Sequence, residues 1–467
     1  MRATLRGFES PKPAHSGLLA AIFLAMALAL GGGGSPDPLP ELILECFAGL
    51  FAVLWMLGTL SAPQWRSVPR SAWIIASIIA AVPAMQLIPL PPLIWHALPG
   101  RSLELDALTL IGEQSTWRTW ALAPARTLSS LLSLGPPLLL LAMTSALDKG
   151  GRVTLIRSIA LMAVATVIVG ALQHAAGEDS PLHFYGEQSW GLVGFQANEN
   201  STADLLLVAL MTGPLLVREF AKRRLIATRP ALVLGSSGTW MVICAISVVL
   251  TSSRTGIALL PIPIFASLWI LRPWLPLTRR AFLVMLGAAF VAVPLGFALA
   301  QSNPVLAQVI ARFAVADELR PQLWRDGLFV AQKYFPFGVG MGDFVPALVA
   351  DERLEVVRQT LPNRAHNELI ELTAEAGIFA MAALTAVCFM LVREVRRALR
   401  RSTLISSNLA CFASTALGIF ALHSMTDYPF RSLSLASLGG VCAGLLLAPR
   451  RSELASGIDQ PSRLPEG

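Results

Sequence analysis

Residues 231–250 read ALVLGSSGTWMVICAISVVL, residues 256–272 read GIALLPIPIFASLWILR, and only TSSRT at 251–255 separates them. Each apolar run is long enough to cross a lipid bilayer as a helix, which takes about 17 to 25 residues. So short a connection between two such runs predicts a tight helical hairpin. The same pattern recurs along most of the chain and therefore decides the fold class.

The composition excludes an ordinary soluble enzyme. Of the 467 residues, 54% are hydrophobic and only 14% are charged, whereas soluble domains carry about 25% charged residues. The five cysteines lie inside apolar runs without C-x-x-C spacing, which excludes a disulfide scaffold and a cysteine metal site. The net charge of +7 is divided among short clusters between apolar runs, a pattern typical of membrane topology and not of nucleic-acid binding.

The apolar runs predict an all-α, polytopic integral membrane protein with about 12 transmembrane helices. Nine helices are expected within residues 1–300, a long outer loop at 301–368, three helices within 369–448 and a disordered cytoplasmic tail at 449–467. The predicted runs are 16–33, 41–61, 71–91, 127–146, 153–173, 201–218, 231–250, 256–272, 281–300, 369–392, 408–425 and 432–448.

The distribution of basic residues predicts the orientation of the helices. Arg and Lys cluster in alternate connections, while 32–40 and 174–200 contain neither. Because basic residues favour the cytoplasmic side, both termini are expected to be cytoplasmic. The first apolar run follows basic residues and also fits a cleaved signal peptide; we favour a retained helix because proteins with many spans usually keep their first.

The 301–368 loop is much the longest connection and has features of folded structure. Apolar residues recur at helical spacing in 305–313 and 323–335, which predicts amphipathic helices lying on the membrane surface. The G-x-G-x-G at 338–342 follows a helical pattern and not a strand, so a turn explains it better than a nucleotide site.

Several polar residues lie near the predicted outer ends of the spans, where charges are functional candidates. Arg254 is held in the short hairpin connection, where a fixed guanidinium suits an anionic ligand, although arginines also reach the membrane surface for structural reasons. His366 precedes the tenth span and is able to accept a hydroxyl proton near neutral pH. Glu368 and Glu371 have a structural alternative, because they are favourably placed at the start of a helix for which Asn367 is the predicted cap. That alternative does not explain Glu375, which lies two turns deeper on the same helical face.

For the other candidates, a functional role and a structural role are about equally well supported by the sequence. Asn200 and Asp427 are polar groups near the outer side, and each also fits a simple helix cap. Arg320, one turn before Trp324, also fits the polar face of an amphipathic helix. The sequence has no H-E-x-x-H, Walker or G-x-S-x-G motif, so neither a metal nor a nucleotide is implied.

Taken in order, these segments resemble the O-antigen ligase and polymerase family of bacterial envelope glycan synthesis. The resemblance rests on TSSRTG at 251–256, RPQLW at 320–324, FPFGVGMGDF at 335–344, HNE at 366–368 and EAG at 375–377. It extends over roughly 190–430 and is densest over 234–385. The segment 423–431 is similar to the tail of exopolysaccharide-type members.

The resemblance implies a membrane glycosyltransferase of the C type in the bacterial inner membrane, with its active site facing the periplasm. The implied donor is an undecaprenyl-diphosphate-linked glycan, and the acceptor is a hydroxyl on a glycan or lipid anchor, without metal, cofactor or nucleic acid. Arg254 and Arg320, with Arg312 or Arg126, would hold the diphosphate, and His366 would orient or deprotonate the acceptor. Asn200, Glu368, Glu375 and Asp427 are further candidates around the donor or acceptor.

Ligase and polymerase share a donor and differ in acceptor, so both remain open. A secondary transporter of twelve spans is the alternative from another class, but the long loop after the ninth run breaks the two-half symmetry common in transporters. A transferase predicts that Arg254 and His366 converge beneath the outer loop. A transporter predicts a site at the bilayer midplane, and a non-catalytic assembly protein predicts no such convergence.

Overall fold

The computed structural model describes residues 14–33, 39–58, 64–177, 181–185, 191–223, 229–275, 280, 287, 320–351, 364–401 and 404–448. Within these residues the chain is almost entirely helical, with one small antiparallel ribbon in which Pro89 pairs with Thr119 and Leu90 with Arg118. The all-α prediction is therefore confirmed for this part of the chain.

The helices are labelled in chain order. The first half contains α1 (Ala14–Leu30), α2 (Leu39–Gly58), α3 (Arg70–Gln86), α4 (Pro92–Trp95), α5 (Ser102–Leu110), α6 (Pro124–Leu132), α7 (Gly135–Ala146), α8 (Lys149–Ala176), α9 (Glu199–Leu210) and α10 (Thr212–Arg223). The second half contains α11 (Pro230–Leu250), α12 (Arg254–Leu259), α13 (Pro261–Leu271), α14 (Arg320–Lys333), α15 (Phe344–Asp351), α16 (Glu368–Arg401), α17 (Leu404–His423) and α18 (Leu433–Leu447). The ribbon consists of β1 (Pro89–Leu90) and β2 (Arg118–Thr119), and 3-10 turns occur at Gln64–Ser67 and Pro429–Arg431.

Helices occupy the predicted apolar runs that fall within the described residues. Seven helical segments there are long and apolar enough to cross a membrane, and four shorter apolar helices accompany them. The predicted run at 281–300 lies outside the described residues, so the count of twelve stays a prediction. The chain is an all-helical membrane protein in its described part.

The α9 helix lies at the centre of the bundle. Every residue from Ser201 to Leu210 is buried, as expected for a helix that is apolar on nearly all sides. The neighbouring α11 helix instead exposes apolar side chains such as Val242 and Ile246. Since a bilayer solvates such side chains, we interpret this outer surface as the one that faces lipid.

Small residues bring several helices into close contact. A Cβ added at Gly17 of α1 would lie 2.5 Å from the Cα of Gly151 in α8. Likewise, a Cβ at Gly440 of α18 would lie 2.3 Å from the carbonyl oxygen of Pro137 in α7. Backbones this close gain van der Waals contact, which is the main attraction between helices in lipid.

The sequence predicted a continuous tenth span, but α16 is broken at Gly377, where φ is 51° and ψ is −130°. The glycine-rich turn at 336–342 satisfies the backbone groups that the break releases. The N–H groups of Val339 and Gly340 donate to the carbonyl oxygens of Ala374 and Glu375 at 3.0 and 2.9 Å. The G-x-G-x-G segment is thus a turn, as predicted, and it docks onto the helix break.

The third predicted run extends to 91, but α3 ends at Gln86, and residues 87–123 form β1, α4, α5 and β2. No span was predicted between 92 and 123. Trp120 donates from its indole nitrogen to the carbonyl oxygen of Gly338 at 3.3 Å and packs edge-on against Phe337 and Phe379. The N–H of Leu122 donates to the carbonyl oxygen of Val339 at 2.8 Å. The segment therefore packs against both the glycine turn and α16.

The predicted outer loop is partly described. Helices α14 and α15 lie on either side of the glycine turn and agree with the expectation of short helices in this loop. The predicted helical pattern at 305–313 lies outside the described residues.

We predict that Gly377→Ala lowers the thermal unfolding temperature of the purified protein. At Gly377 an added Cβ would lie 2.0 Å from the carbonyl oxygen of Pro336, and the positive φ is unfavourable for alanine. A cost of about 2 kcal/mol or more is expected. Gly418→Ala is the matched control, because a Cβ there meets no atom within 4 Å. Equal unfolding temperatures for the two variants would contradict the proposed role of the break.

Candidate functional site

The carboxylate of Asp427 lies at the centre of the candidate site. The turn after α17 positions it, since the N–H of Asp427 donates to the carbonyl oxygen of His423 at 2.8 Å. One carboxylate oxygen accepts a hydrogen bond from the amide of Asn200, and the other is 3.1 Å from Nδ1 of His366. The Asp427 side chain is only 4% exposed. It does not cap a helix, which was the alternative structural role.

His366 and Asp427 form a hydrogen-bonded imidazole–carboxylate pair. Burial disfavours the charged form of Asp427, but the hydrogen bond and charge of His366 outweigh it and hold the pKa of Asp427 below its usual range. A charged Asp427 accepts a hydrogen bond from the Nδ1–H group of His366, and in this tautomer Nε2 is the basic nitrogen. The His366 side chain is 27% exposed, so the pair lies at the edge of the protein interior.

His366 adopts a backbone conformation that is unusual for a residue other than glycine, with φ at 50°. Such strain requires support from the surroundings and is common at functional sites. Asn367 provides part of this support by capping α16, as predicted: its side-chain oxygen accepts from the N–H groups of Leu369 and Ile370. The ring of Tyr428 packs 5.1 Å from the imidazole.

Asn200 and Ser253 connect this pair to the segment that carries Arg254. Ser253 donates from its hydroxyl group to the side-chain oxygen of Asn200 at 2.6 Å, and the Asn200 amide donates to Asp427. Ser253 also caps α12, whose first residue is Arg254. A continuous chain of hydrogen bonds thus joins Ser253, Asn200, Asp427 and His366. Helix α9 itself is capped by Asn198, so Asn200 is available for this chain.

A second contact brings the same two segments together. The hydroxyl oxygens of Thr255 and Thr426 are 3.2 Å apart. Arg254, between Ser253 and Thr255, is partly buried. The convergence of the Arg254 segment and the His366 pair, which the sequence predicted for a transferase, is therefore present in the described residues.

Beneath this network lies a buried cluster of three carboxylates around Arg431. The guanidinium group lies 2.6 Å from Glu375 and 3.6 Å from Glu371. Glu368 accepts hydrogen bonds from the hydroxyl group of Ser424 and from the N–H of Phe430. Glu375 also accepts from the N–H of Gly342 at 3.0 Å. Glu368 and Glu375 thus have internal partners, and their contact with substrate stays a prediction.

The sequence analysis did not identify Arg431 as a site residue. Its position directly before the last predicted apolar run was a signal that could have indicated one. Burial alone would lower its pKa, but the neighbouring charges of Glu375 and Glu371 raise it. Arg431 therefore stays charged and offsets the carboxylates of α16. Its partners come from a different part of the chain, which is why spacing could not identify them.

The other predicted arginines are distributed around the site. Arg320 begins α14, and its charge acts on His423, next to the network. Arg126 is exposed near the start of α6, and its charge acts on Asp343 in the loop between the glycine turn and α15. Arg312 lies outside the described residues. Arg320 and Arg126 are the two described arginines that were proposed to act with Arg254. Of these two, Arg320 is the one whose charge acts on a residue next to the network.

No metal centre occurs within the ranges that the structure describes, where no group of three or more His, Cys, Asp or Glu side chains is arranged to bind an ion. The chemistry available at the site is that of an imidazole base, a carboxylate and several guanidinium groups. These groups suit proton transfer from a hydroxyl and binding of a polyanion.

We predict that cysteines at positions 255 and 426 form a disulfide in membranes of a variant that lacks the five native cysteines. The hydroxyl oxygens of Thr255 and Thr426 are 3.2 Å apart, and a disulfide needs Cβ atoms about 3.5 to 4.5 Å apart. Thr255→Cys with Thr385→Cys is the control pair, because position 385 lies far along α16. Mass spectrometry detects the bond. Failure of the 255–426 pair to oxidise under mild conditions would contradict the convergence.

A second prediction concerns Asp343, whose pKa is raised to about 7, chiefly by burial and also by the charge of Glu375. Between its ordinary value near 4 and about 7, the folded protein holds a proton that the unfolded chain releases. The stability contributed by the neutral form is therefore lost as pH rises through about 7. Asp343→Asn should unfold with less pH dependence than the original chain between pH 5 and 8. Parallel pH profiles of unfolding temperature would contradict this.

A comparison with known protein families gives a match for part of the chain. A family model described as O-antigen ligase matches residues 239–385, whereas comparison with curated proteins gives no match. The matched segment contains Arg254, Arg320 and His366, while Asn200 and Asp427 lie outside it. An activity of the O-antigen ligase or polymerase type follows in general terms. The match supports the resemblance seen in the sequence: residues 239–385 of this helical membrane chain are similar to the O-antigen ligase family.

Proposed function

We propose that this protein transfers a glycan from an undecaprenyl-diphosphate-linked donor to a hydroxyl acceptor at the periplasmic face of the bacterial inner membrane. The observation that carries the proposal is the hydrogen-bonded chain from Ser253 through Asn200 and Asp427 to His366. This chain connects the imidazole of His366 to the segment that carries Arg254. Both residues lie within the part that the family model matches, whereas Asn200 and Asp427 lie outside it. A base and a guanidinium close together are what such a transfer requires.

In the proposed reaction, the acceptor oxygen attacks the anomeric carbon of the donor, and the bond from that carbon to the diphosphate oxygen breaks. The acceptor proton passes to Nε2 of His366, and the bonding electrons leave with the diphosphate. Asp427, hydrogen-bonded to Nδ1, orients the imidazole and stabilises its cationic form. The proton and the charge are thereby accounted for without a metal.

Arg254 and Arg320 are proposed to bind the diphosphate. Guanidinium groups match phosphate oxygens with two parallel hydrogen bonds and stabilise the negative charge that develops as the bond breaks. Arg126 and Arg312 remain proposed additional contacts, with Arg126 on the side of Asp343. Since diphosphate is a good leaving group, the main work of the protein is to position two substrates and to neutralise charge.

We assign Glu368 and Glu375 chiefly to supporting the site. Their oxygens are bonded to Ser424, Phe430, Gly342 and Arg431, which ties the start of α16 to the turn after α17. His366 and Asp427 lie on these two segments. Loss of either carboxylate is therefore expected to displace the pair as well as any sugar bound near it.

The acceptor class is tested by the surface and lipid-linked glycans of a strain that lacks this gene. Full-length chains that accumulate on undecaprenyl diphosphate would identify a ligase. Single repeats without long chains would identify a polymerase. Both results support the proposed donor, whereas an unchanged gel profile would contradict the transferase proposal and favour a transporter.

The same strain tests the proposed roles when it is complemented with variants. We predict that His366→Ala and Asp427→Asn lower glycan transfer by about 100-fold or more, as expected for loss of a general base or its orienting carboxylate. Arg254→Lys should also reduce transfer strongly, because it keeps the charge but loses the paired hydrogen bonds. Arg397→Lys on the exposed, far part of α16 is the matched control. Normal transfer by inserted His366→Ala protein would refute the proposed base.

A further inference from the structure

A second imidazole–carboxylate pair lies deeper in the bundle than His366 and Asp427. Nδ1 of His423, the last residue of α17, is 2.8 Å from a carboxylate oxygen of Asp204 in α9. Both side chains are only 1% exposed. A charged group in this position is costly unless it is paired, so we treat the two residues as one hydrogen-bonded pair with no net charge.

This buried pair borders the candidate site. His423 precedes Asp427 by one helical turn, and Asn200, Asp204, His423, Asp427 and Tyr428 line the same narrow crevice. Among the described residues, the second carboxylate oxygen of Asp204 and Nε2 of His423 have no hydrogen-bond partner. The pair therefore lies next to the carboxylate that is hydrogen-bonded to His366.

The charges of the four groups can be counted. Two carboxylates, Asp204 and Asp427, face two imidazoles, His423 and His366. When His423 is protonated and His366 is neutral, the group has a net charge of −1, and it becomes neutral when His366 takes a proton. In the proposed transfer His366 takes the acceptor proton, so that step neutralises a buried charge, which is favourable.

Other charged and titratable groups surround these four residues. Arg320 of α14 acts on His423, and Arg364 and Glu371 act on Tyr428 from the start of α16. Arg364 is also 3.4 Å from Glu371, so these two charges largely offset each other. Variants at Asp204 and His423 leave these surrounding charges in place, so differences among such variants report on the four central groups.

We propose that Asp204 is a positioning residue that holds the positive charge of His423, so that the negative charge of Asp427 is kept for His366. Without Asp204, the nearest carboxylate to His423 is Asp427, one turn away. The two imidazoles would then compete for one carboxylate, and His366 would bind a proton less readily. The proposal rests on the role of His366 in the proposed function, but its electrostatic part can be measured without any substrate.

The test measures how readily His366 reacts with diethyl pyrocarbonate as a function of pH, using mass spectrometry of the purified full chain. The reagent modifies neutral imidazoles, so the midpoint of the profile reports protonation of His366. Peptide mapping separates it from the other five histidines. This readout does not depend on glycan transfer.

We expect Asp204→Asn to move the His366 midpoint to lower pH by about one unit, the size expected for one uncompensated charge a few ångströms away. His423→Asn removes a cation and should move the midpoint to higher pH. The double variant removes both charges and should return the midpoint close to that of the original chain. Ser437→Ala is the control, because it removes a buried polar group of α18 that carries no charge. It should leave the midpoint unchanged.

Glycan transfer provides the functional readout. Asp204→Asn should lower the transfer rate about 10-fold or more, and the double variant should recover most of it. A double variant that is as slow as Asp204→Asn would overturn the proposal. So would a His366 midpoint that is the same in the original chain, the two single variants at Asp204 and His423, and the double variant. Absence of transfer by the original chain, with midpoints that shift as expected, would instead overturn the proposed function and leave the electrostatic inference intact.

Discussion

The arrangement of the site depends on the burial of one charged carboxylate, that of Asp427. Its oxygens are bonded to Asn200 of α9 and His366 before α16, while its backbone is anchored to α17. Removing a charge from water is costly unless hydrogen bonds and opposite charge compensate for it. The need to satisfy Asp427 therefore fixes three distant segments of the chain relative to one another, and Ser253 extends this constraint to the Arg254 hairpin.

The sequence predicted the helices well because burial in a bilayer requires long apolar runs and leaves a clear signal. His366 and Arg254 were candidates because polar residues near the ends of apolar runs stand out, and the segments that carry them converge in the structure. The sequence also predicted the cap by Asn367. The break at Gly377 was missed, because its neighbours read as a continuous apolar helix. Only the approach of the 336–342 turn makes that break favourable.

Partners that are distant in sequence explain the remaining gaps. Arg431 acquires its role from glutamates more than fifty residues earlier, and Asp204 pairs with His423 more than two hundred residues later. No span was predicted between 92 and 123, yet Trp120 and Leu122 bond this part of the chain to the glycine turn. Composition and spacing describe each helix separately, whereas the site arises where the ends of several helices meet.

The central claim is that the His366–Asp427 pair and the Arg254 segment form one site for transfer from a lipid diphosphate. The most direct measurement is release of undecaprenyl diphosphate by purified protein in lipid nanodiscs, supplied with a lipid-diphosphate-linked glycan with and without a hydroxyl acceptor. The account predicts release that requires the acceptor and is nearly abolished in Asp427→Asn. Release that is independent of the acceptor, or that Asp427→Asn leaves unchanged, would contradict it.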